Sequence, residues 1–217
     1  MPVMDQTVIT APPRTRKPRG QGASRRAEIL EAAKHLFLEE GFQHATMRRI
    51  ASIVGVSPTA IYLHFADKEA ILAAIAEDFF AEVLAVLEVA TAGDAPPLAR
   101  LQTGLRAYVE FSLMRPDEYR LTFQAWATRG VSATYVKPEV ADKSFHILED
   151  SVIQLIEAGL FIKGDPLIIS EAIVCSLHGL TSALLDMPKK LQSEPPALID
   201  AVIRMTVDGF AVNKLPI

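Results

Sequence analysis

A lone cysteine, Cys175, leaves this chain of 217 residues with no internal disulfide to form. A reducing, cytoplasmic setting is therefore expected. Apolar runs are short. The longest uncharged one, Ala172 to Leu185, contains His178 and Gly179 and falls below the roughly 18 apolar residues of a membrane helix. No apolar h-region opens the chain, so neither a signal peptide nor a membrane partner is expected. No stretch of useful length alternates apolar and polar residues, and no unit repeats. Catalytic signatures are missing as well: there is no P-loop, GxSxG, HExxH or GxGxxG. An enzyme is not expected. His146 has Asp142, Glu149 and Asp150 within a turn, but acids around a histidine on a charged helix describe a solvated face. No metal and no cofactor are expected.

What is present is an uneven charge. Residues 1–66 carry nine Lys/Arg against five Asp/Glu, whereas residues 67–217 carry thirteen against twenty-one. A basic first third on an acidic remainder suggests a polyanion-binding head on a body that does not touch the polyanion. Half the residues are apolar, ample for a core.

The spacing of those apolar residues is helical throughout, which predicts an all-α fold. Residues 1–23, rich in Pro, Gly, Thr and Gln, read as a disordered arm carrying Arg14, Arg16, Lys17 and Arg19. Residues 24–66 read as three short helices. Ser24 is a candidate cap for the first, which stops at Gly41 and carries Arg26 and Arg25, the latter a candidate DNA contact. "ATMRRIASIVG" is the second. "SPTAIYLHF" is the third, with Ser57 as N-cap and Pro58 at N1, where a missing N–H does no harm. Residues 67–217 read as a larger helical unit. Its helices run from Asp67 to about Gly93, from Pro97 to Met114 and from Pro116 to Ala127. Others are expected from Pro138 to Phe161, Asp165 to Met187 and Pro196 to Val212.

Ala51, Gly55 and Ile61 fall at offsets that suit a helix-turn-helix. The small residue permits close crossing, Gly55 takes a positive φ at the turn, and Ile61 packs back on the partner helix. An ordinary αα-hairpin shares this spacing. In the DNA-binding reading the third helix enters a major groove. Ser57, Thr59, Ala60 and Tyr62 then face bases or phosphates, and His64 donates to a phosphate. Arg48, Arg49 and Lys68 add charge on that side, and Thr46 sets backbone N–H groups at a helix start.

With these residues in place, "ILEAAKHLFLEEGFQHATMRRIASIVGVSPTAIYLHFADKEAIL" resembles the DNA-binding domain of the TetR family of transcriptional regulators. The likeness lies in the Ala-Phe-Gly-Phe pattern of the first helix, Thr46, the Ile-Ala…Gly-Val-Ser core and the Tyr-x-His-Phe…Lys-Glu ending. It implies a homodimer on a palindromic double-stranded operator, with an effector bound in the C-terminal unit. It also implies DNA contacts at Thr46, Thr59, Tyr62, His64 and Lys68. Pro58 and Thr59 stand where Lys-Gly or Arg-Gly is commoner, and Leu63 makes its position apolar. "RPDEYRLTFQAWA" and "CSLHGLTSALL" resemble a subgroup with a Trp-His-Gly motif, here with Leu177 in the tryptophan place.

In the acidic unit, Tyr108, Phe111, Phe123, Trp126, Phe145 and His178 are the candidate ligand-binding residues. Rings at helical spacing suit a plain core equally well. The expected effector is small and mainly apolar, with Tyr108 or His178 orienting it. A DNA-binding regulator without any effector is the alternative. The last two helices are apolar enough to form a four-helix dimer interface through Ile168, Ala172, Leu177, Leu180, Leu184, Ile199, Val202, Ile203, Val207 and Phe210. A fully buried core helix is the other use for them.

If the arm follows phosphates, deleting residues 1–20 flattens the log–log salt dependence of DNA binding by about 0.9 per lost contact. Selected and scrambled duplexes should be affected alike. Identical slopes for the full and shortened chains would show that the arm makes no contact.

Overall fold

The computed structural model describes residues 22–127 and 139–212. The arm cations Arg14, Arg16, Lys17 and Arg19 and the loop after Ala127 lie outside the described residues. Nine helices lie within them. The head has α1 (Gly22–Glu39), α2 (Met47–Val54) and α3 (Pro58–Tyr62). The body has α4 (Lys68–Ala90), α5 (Pro97–Met114), α6 (Pro116–Ala127), α7 (Glu139–Glu157), α8 (Pro166–Asp186) and α9 (Pro195–Phe210).

Helix boundaries follow local chemistry. Thr46, Ser57 and Asp67 cap α2, α3 and α4, their side-chain oxygens accepting from the N–H three residues on. Gly55, at φ 74°, closes α2. The N–H of Val56 donates to the Ala51 carbonyl at 3.0 Å and that of Gly55 to Ser52 at 3.3 Å, the Schellman pattern. α1 starts earlier than expected, at Gly22. Ser24 sits inside its first turn, with Oγ donating to Glu28 at 3.3 Å rather than capping. Gly22 and Ala23, assigned to the arm by composition, are therefore helical.

The head core gathers Ile29, Leu36, Phe37, Ile50 and Ile61, all nearly water-free. Ile71, Leu72 and Ile75 of α4 and Leu121 of α6 belong to the same cluster. The boundary expected at 66/67 therefore falls inside a core, because the first turns of α4 complete the head. In the body, α4 packs against α5, α6 and α7, while α8 packs against α5, α7 and α9. α8 is long and apolar enough to cross a membrane by length and composition, yet its Ile169, Ile173, Leu177 and Leu180 are buried in the body. Gly104 permits the tightest approach: a Cβ there would lie 3.0 Å from Thr91 Cγ2 on the α4 side.

α7 ends at Glu157 rather than Phe161. Gly159 turns the chain at φ 67°, and Phe161 goes into the body core, 1% exposed. It pairs there with Ala211 in an antiparallel bridge, Ile162 N–H donating to Phe210 and Val212 N–H to Leu160. That bridge also ends α9 at Phe210. Half of the ten α8 and α9 residues expected at a dimer face are instead core. Leu177, Leu180, Ile199, Ile203 and Val207 are buried within the chain. The uncovered sides carry Ile168, Cys175 and Gly179 on α8, and Ala201, Met205 and Gly209 on α9.

Gly55→Ala tests the turn without a steric clash, since a Cβ there meets nothing within 4 Å. The left-handed conformation alone should cost about 1–2 kcal/mol. Urea unfolding measures it. An unchanged midpoint would mean that the turn relaxes.

Candidate nucleic-acid interface and effector cavity

The α2–α3 pair is oriented by its buried side. Ile50, Ala51 and Ile61 anchor it, with 0–1% exposure. Ser57 accepts from Ala60 N–H at 3.2 Å, which starts α3. The outward side then presents Thr59, Tyr62, Leu63 and His64, with Ala60 half-buried. His64 lies in the turn after α3, its N–H donating to the Ile61 carbonyl at 2.8 Å. Thr46 and Arg48 at the start of α2 are exposed.

The candidate cations differ in availability. Arg25 is ion-paired with Glu28 at 2.6 Å, and Arg49 with Glu40 at 3.4 Å. Lys68 is turned inward. Its Nζ donates to the carbonyls of Phe42 at 2.7 Å, Gln43 at 3.2 Å and Ala45 at 3.4 Å, and lies 4.5 Å from the centre of the Phe42 ring. The lysine thus closes the α1–α2 loop. A lysine just past a reading helix looks like phosphate-facing charge in sequence; only the fold reveals the three carbonyls.

The body holds a partly open cavity of about 280 Å³, just below the usual range of ligand-pocket sizes. Of the candidate ligand-binding residues, Tyr108, Phe123 and Phe145 line it. Phe111 does not. It is buried against Phe79, ring centres 5.7 Å apart. His178 also lies off the wall, with its ring 4.8 Å from that of Phe123 and stacked on Tyr119. The Trp126 side chain lies outside the described residues. Sequence reasoning missed the aliphatic wall, including Val83, Leu87, Leu101, Leu105, Leu148 and Leu177. At helical spacing these residues carry the same signal as core.

Among the described residues, no charged side chain lines the cavity. Three of its hydroxyls turn back on their own helices: Thr91 donates to Leu87, Ser144 to Val140 and Ser151 to Ile147, at 2.8–2.9 Å. Burial pushes the Tyr108 hydroxyl pKa well above its ordinary value, so it stays a neutral phenol. Behind Phe123, the Tyr119 hydroxyl lies 2.6 Å from His178 Nδ1. Burial lowers the His178 pKa, which favours the neutral ring. With the ring proton on Nε2, Nδ1 accepts from Tyr119.

α6 joins the two regions. Its Phe123 faces the cavity, its Leu121 lies in the head core, and its Glu118 accepts from Lys34 of α1 at 2.7 Å. Burial opposes charge on both partners, but hydrogen bonding outweighs it. Lys34, also paired with Glu31, is held above its ordinary pKa, and Glu118 below its own.

Two family descriptions match the chain: "Bacterial regulatory proteins, tetR family" over residues 29–75, and "Tetracyclin repressor-like, C-terminal domain" over residues 101–206. A relative, the HTH-type transcriptional repressor AcnR of Corynebacterium diphtheriae, is 44% identical over 63 residues, which are 29% of this chain and 33% of AcnR. The chain thus spans a third of that repressor's length. A solved protein of unknown function from Rhodococcus sp. RHA1 is 25% identical, with TM-score 0.72, covering 90% of this chain and all of that one. A TetR family transcription regulator from Marinobacter aquaeolei VT8 shares the fold at 19% identity and TM-score 0.71, covering 89% of this chain and 99% of its own.

Lys68→Met retains most of the stem over Phe42 but strips the loop carbonyls of their donor. Unfolding stability should fall by about 1–3 kcal/mol, measured by urea denaturation without DNA. An unchanged midpoint would mean that the ammonium does not hold the loop.

Proposed function

The chain belongs to the TetR family of transcriptional regulators, which are not enzymes, and from that premise we propose a ligand-responsive repressor. It binds a palindromic operator as a homodimer and is released by a small, mainly apolar effector. The carrying observation is the capped, outward-facing α3 with Thr59 and Tyr62 exposed beside Arg48, held by a fully buried Ile61. Such an element suits a major groove, with the start of α2 at the flanking phosphates. A five-residue helix is a small reading surface, which favours two copies about 34–36 Å apart. The uncovered faces of α8 and α9, with Ile168, Gly179 and Met205, support pairing.

The cavity supports the effector reading. Its wall favours apolar ligands, because a charged one would lose hydration without gaining a partner. Release requires that the effector prefer a body conformation in which the heads no longer fit the operator, since equal affinity for both states shifts nothing. α4 and α6 are the mechanical link, because both contribute to the head core and to the cavity wall.

Duplexes selected from random DNA should include a two-fold site. Tyr62→Ala, at an exposed position, should weaken binding there by on the order of 1–3 kcal/mol with folding intact. Unchanged affinity would remove Tyr62 from the interface. An apolar fluorescent dye should bind the body and weaken operator binding, with Phe123→Ala and Phe145→Ala reducing dye affinity. If no apolar compound binds, the constitutive regulator is the better reading.

A further inference from the structure

From Gly55 to Ala66 the reading segment contains no Lys, Arg, Asn, Gln, Asp or Glu. Arg, Lys, Asn and Gln make the paired hydrogen bonds that identify guanine or adenine in the major groove, and the two acids accept from cytosine. Thr59, Tyr62 and His64 supply isolated polar groups instead. The segment's largest remaining contribution is apolar. Leu63 is 82% exposed, and Tyr62 beside it is 55% exposed.

A solitary exposed leucine is ordinary on a protein surface. This one is held outward. Ser57 and Pro58 fix where α3 begins, and Ile61 and Phe65 on either side of Leu63 are 0% and 7% exposed. Turning Leu63 inward would pull both from the head core. Thymine alone among the four bases offers an apolar group in the major groove, its C5 methyl.

We propose that Leu63 is a specificity-determining residue that reads a thymine methyl. The operator half-site then carries a thymine beneath the end of α3, chosen by apolar contact. This inference rests on the DNA-binding reading above. The methyl leaves water only in the complex, so its contribution is to choice of sequence more than to steering or register.

The experiment uses the full chain and its selected operator, resynthesised with deoxyuridine replacing each thymine in turn. That exchange deletes one methyl and leaves the hydrogen-bonding edge intact. At one position per half-site, the wild-type chain should lose about fourfold in affinity, the value of one buried methyl-sized group. Leu63→Ala should bind the thymine operator more weakly and lose its sensitivity to that exchange. Circular dichroism checks that the variant is folded. The proposal is overturned if no thymine exchange matters, if Leu63→Ala keeps the same sensitivity, or if the selected half-site has no thymine there. A chain that selects no duplex at all overturns the DNA-binding reading and this inference together. A chain that binds its operator and ignores the methyls overturns this inference alone.

Discussion

Burial of Leu121 among the side chains of α1 and the first turns of α4 makes the head and body one mechanical object. Without α6 above it, the small head would leave part of its apolar floor in water. One long and two short helices supply little core to close on their own, which is a general difficulty for units of this size. The head core is therefore completed by side chains of α4 and α6. The Lys34–Glu118 pair reinforces this joint. It is partly shielded from solvent, so it is screened less than the exposed pairs around it. Both pKa shifts favour its charged form. Stability from the pair is lost as pH falls through the lowered pKa of Glu118, and again as pH rises through the raised pKa of Lys34.

The same two helices meet the cavity. Phe80, Val83 and Leu87 on α4 and Phe123 on α6 form part of its wall, on the same helices as Ile75 and Leu121 of the head core. The Tyr119–His178 contact holds the far side of α6 against α8. A shift of α6 is thus opposed by a hydrogen bond, by stacked rings and by the head core. These features favour a small number of discrete packings over continuous bending.

The head was legible in the sequence because its devices are local. Thr46, Gly55, Ser57 and Pro58 act within a few residues of themselves, and the pattern leaves little freedom. The body was legible as helices but not as surfaces. Leu105 and Leu148 face a cavity, Leu180 and Ile203 face core, and Ile168 faces outward, yet all are apolar residues at helical spacing. Which neighbour covers each is a tertiary fact. Phe161 illustrates this further, because its bridge to Ala211 depends on a strand-like pairing between distant segments. The setting of Lys68 was hidden for the same reason in miniature. Its charge is visible in sequence, but the three carbonyls that engage it belong to a loop more than twenty residues earlier.

The inward-turned hydroxyls of Thr91, Ser144 and Ser151 leave the cavity with little directional vocabulary. A wall that speaks mainly through contact area grades guests by volume and shape. One methylene more or less in such a site is worth only about 1–3 kcal/mol, so close analogues are separated by degree and not by kind. Chemical identity is blurred while hydrophobic bulk is registered. A sensor built on this wall would report the presence of a class of compounds, and any narrower selectivity would have to come from the routes by which they reach it.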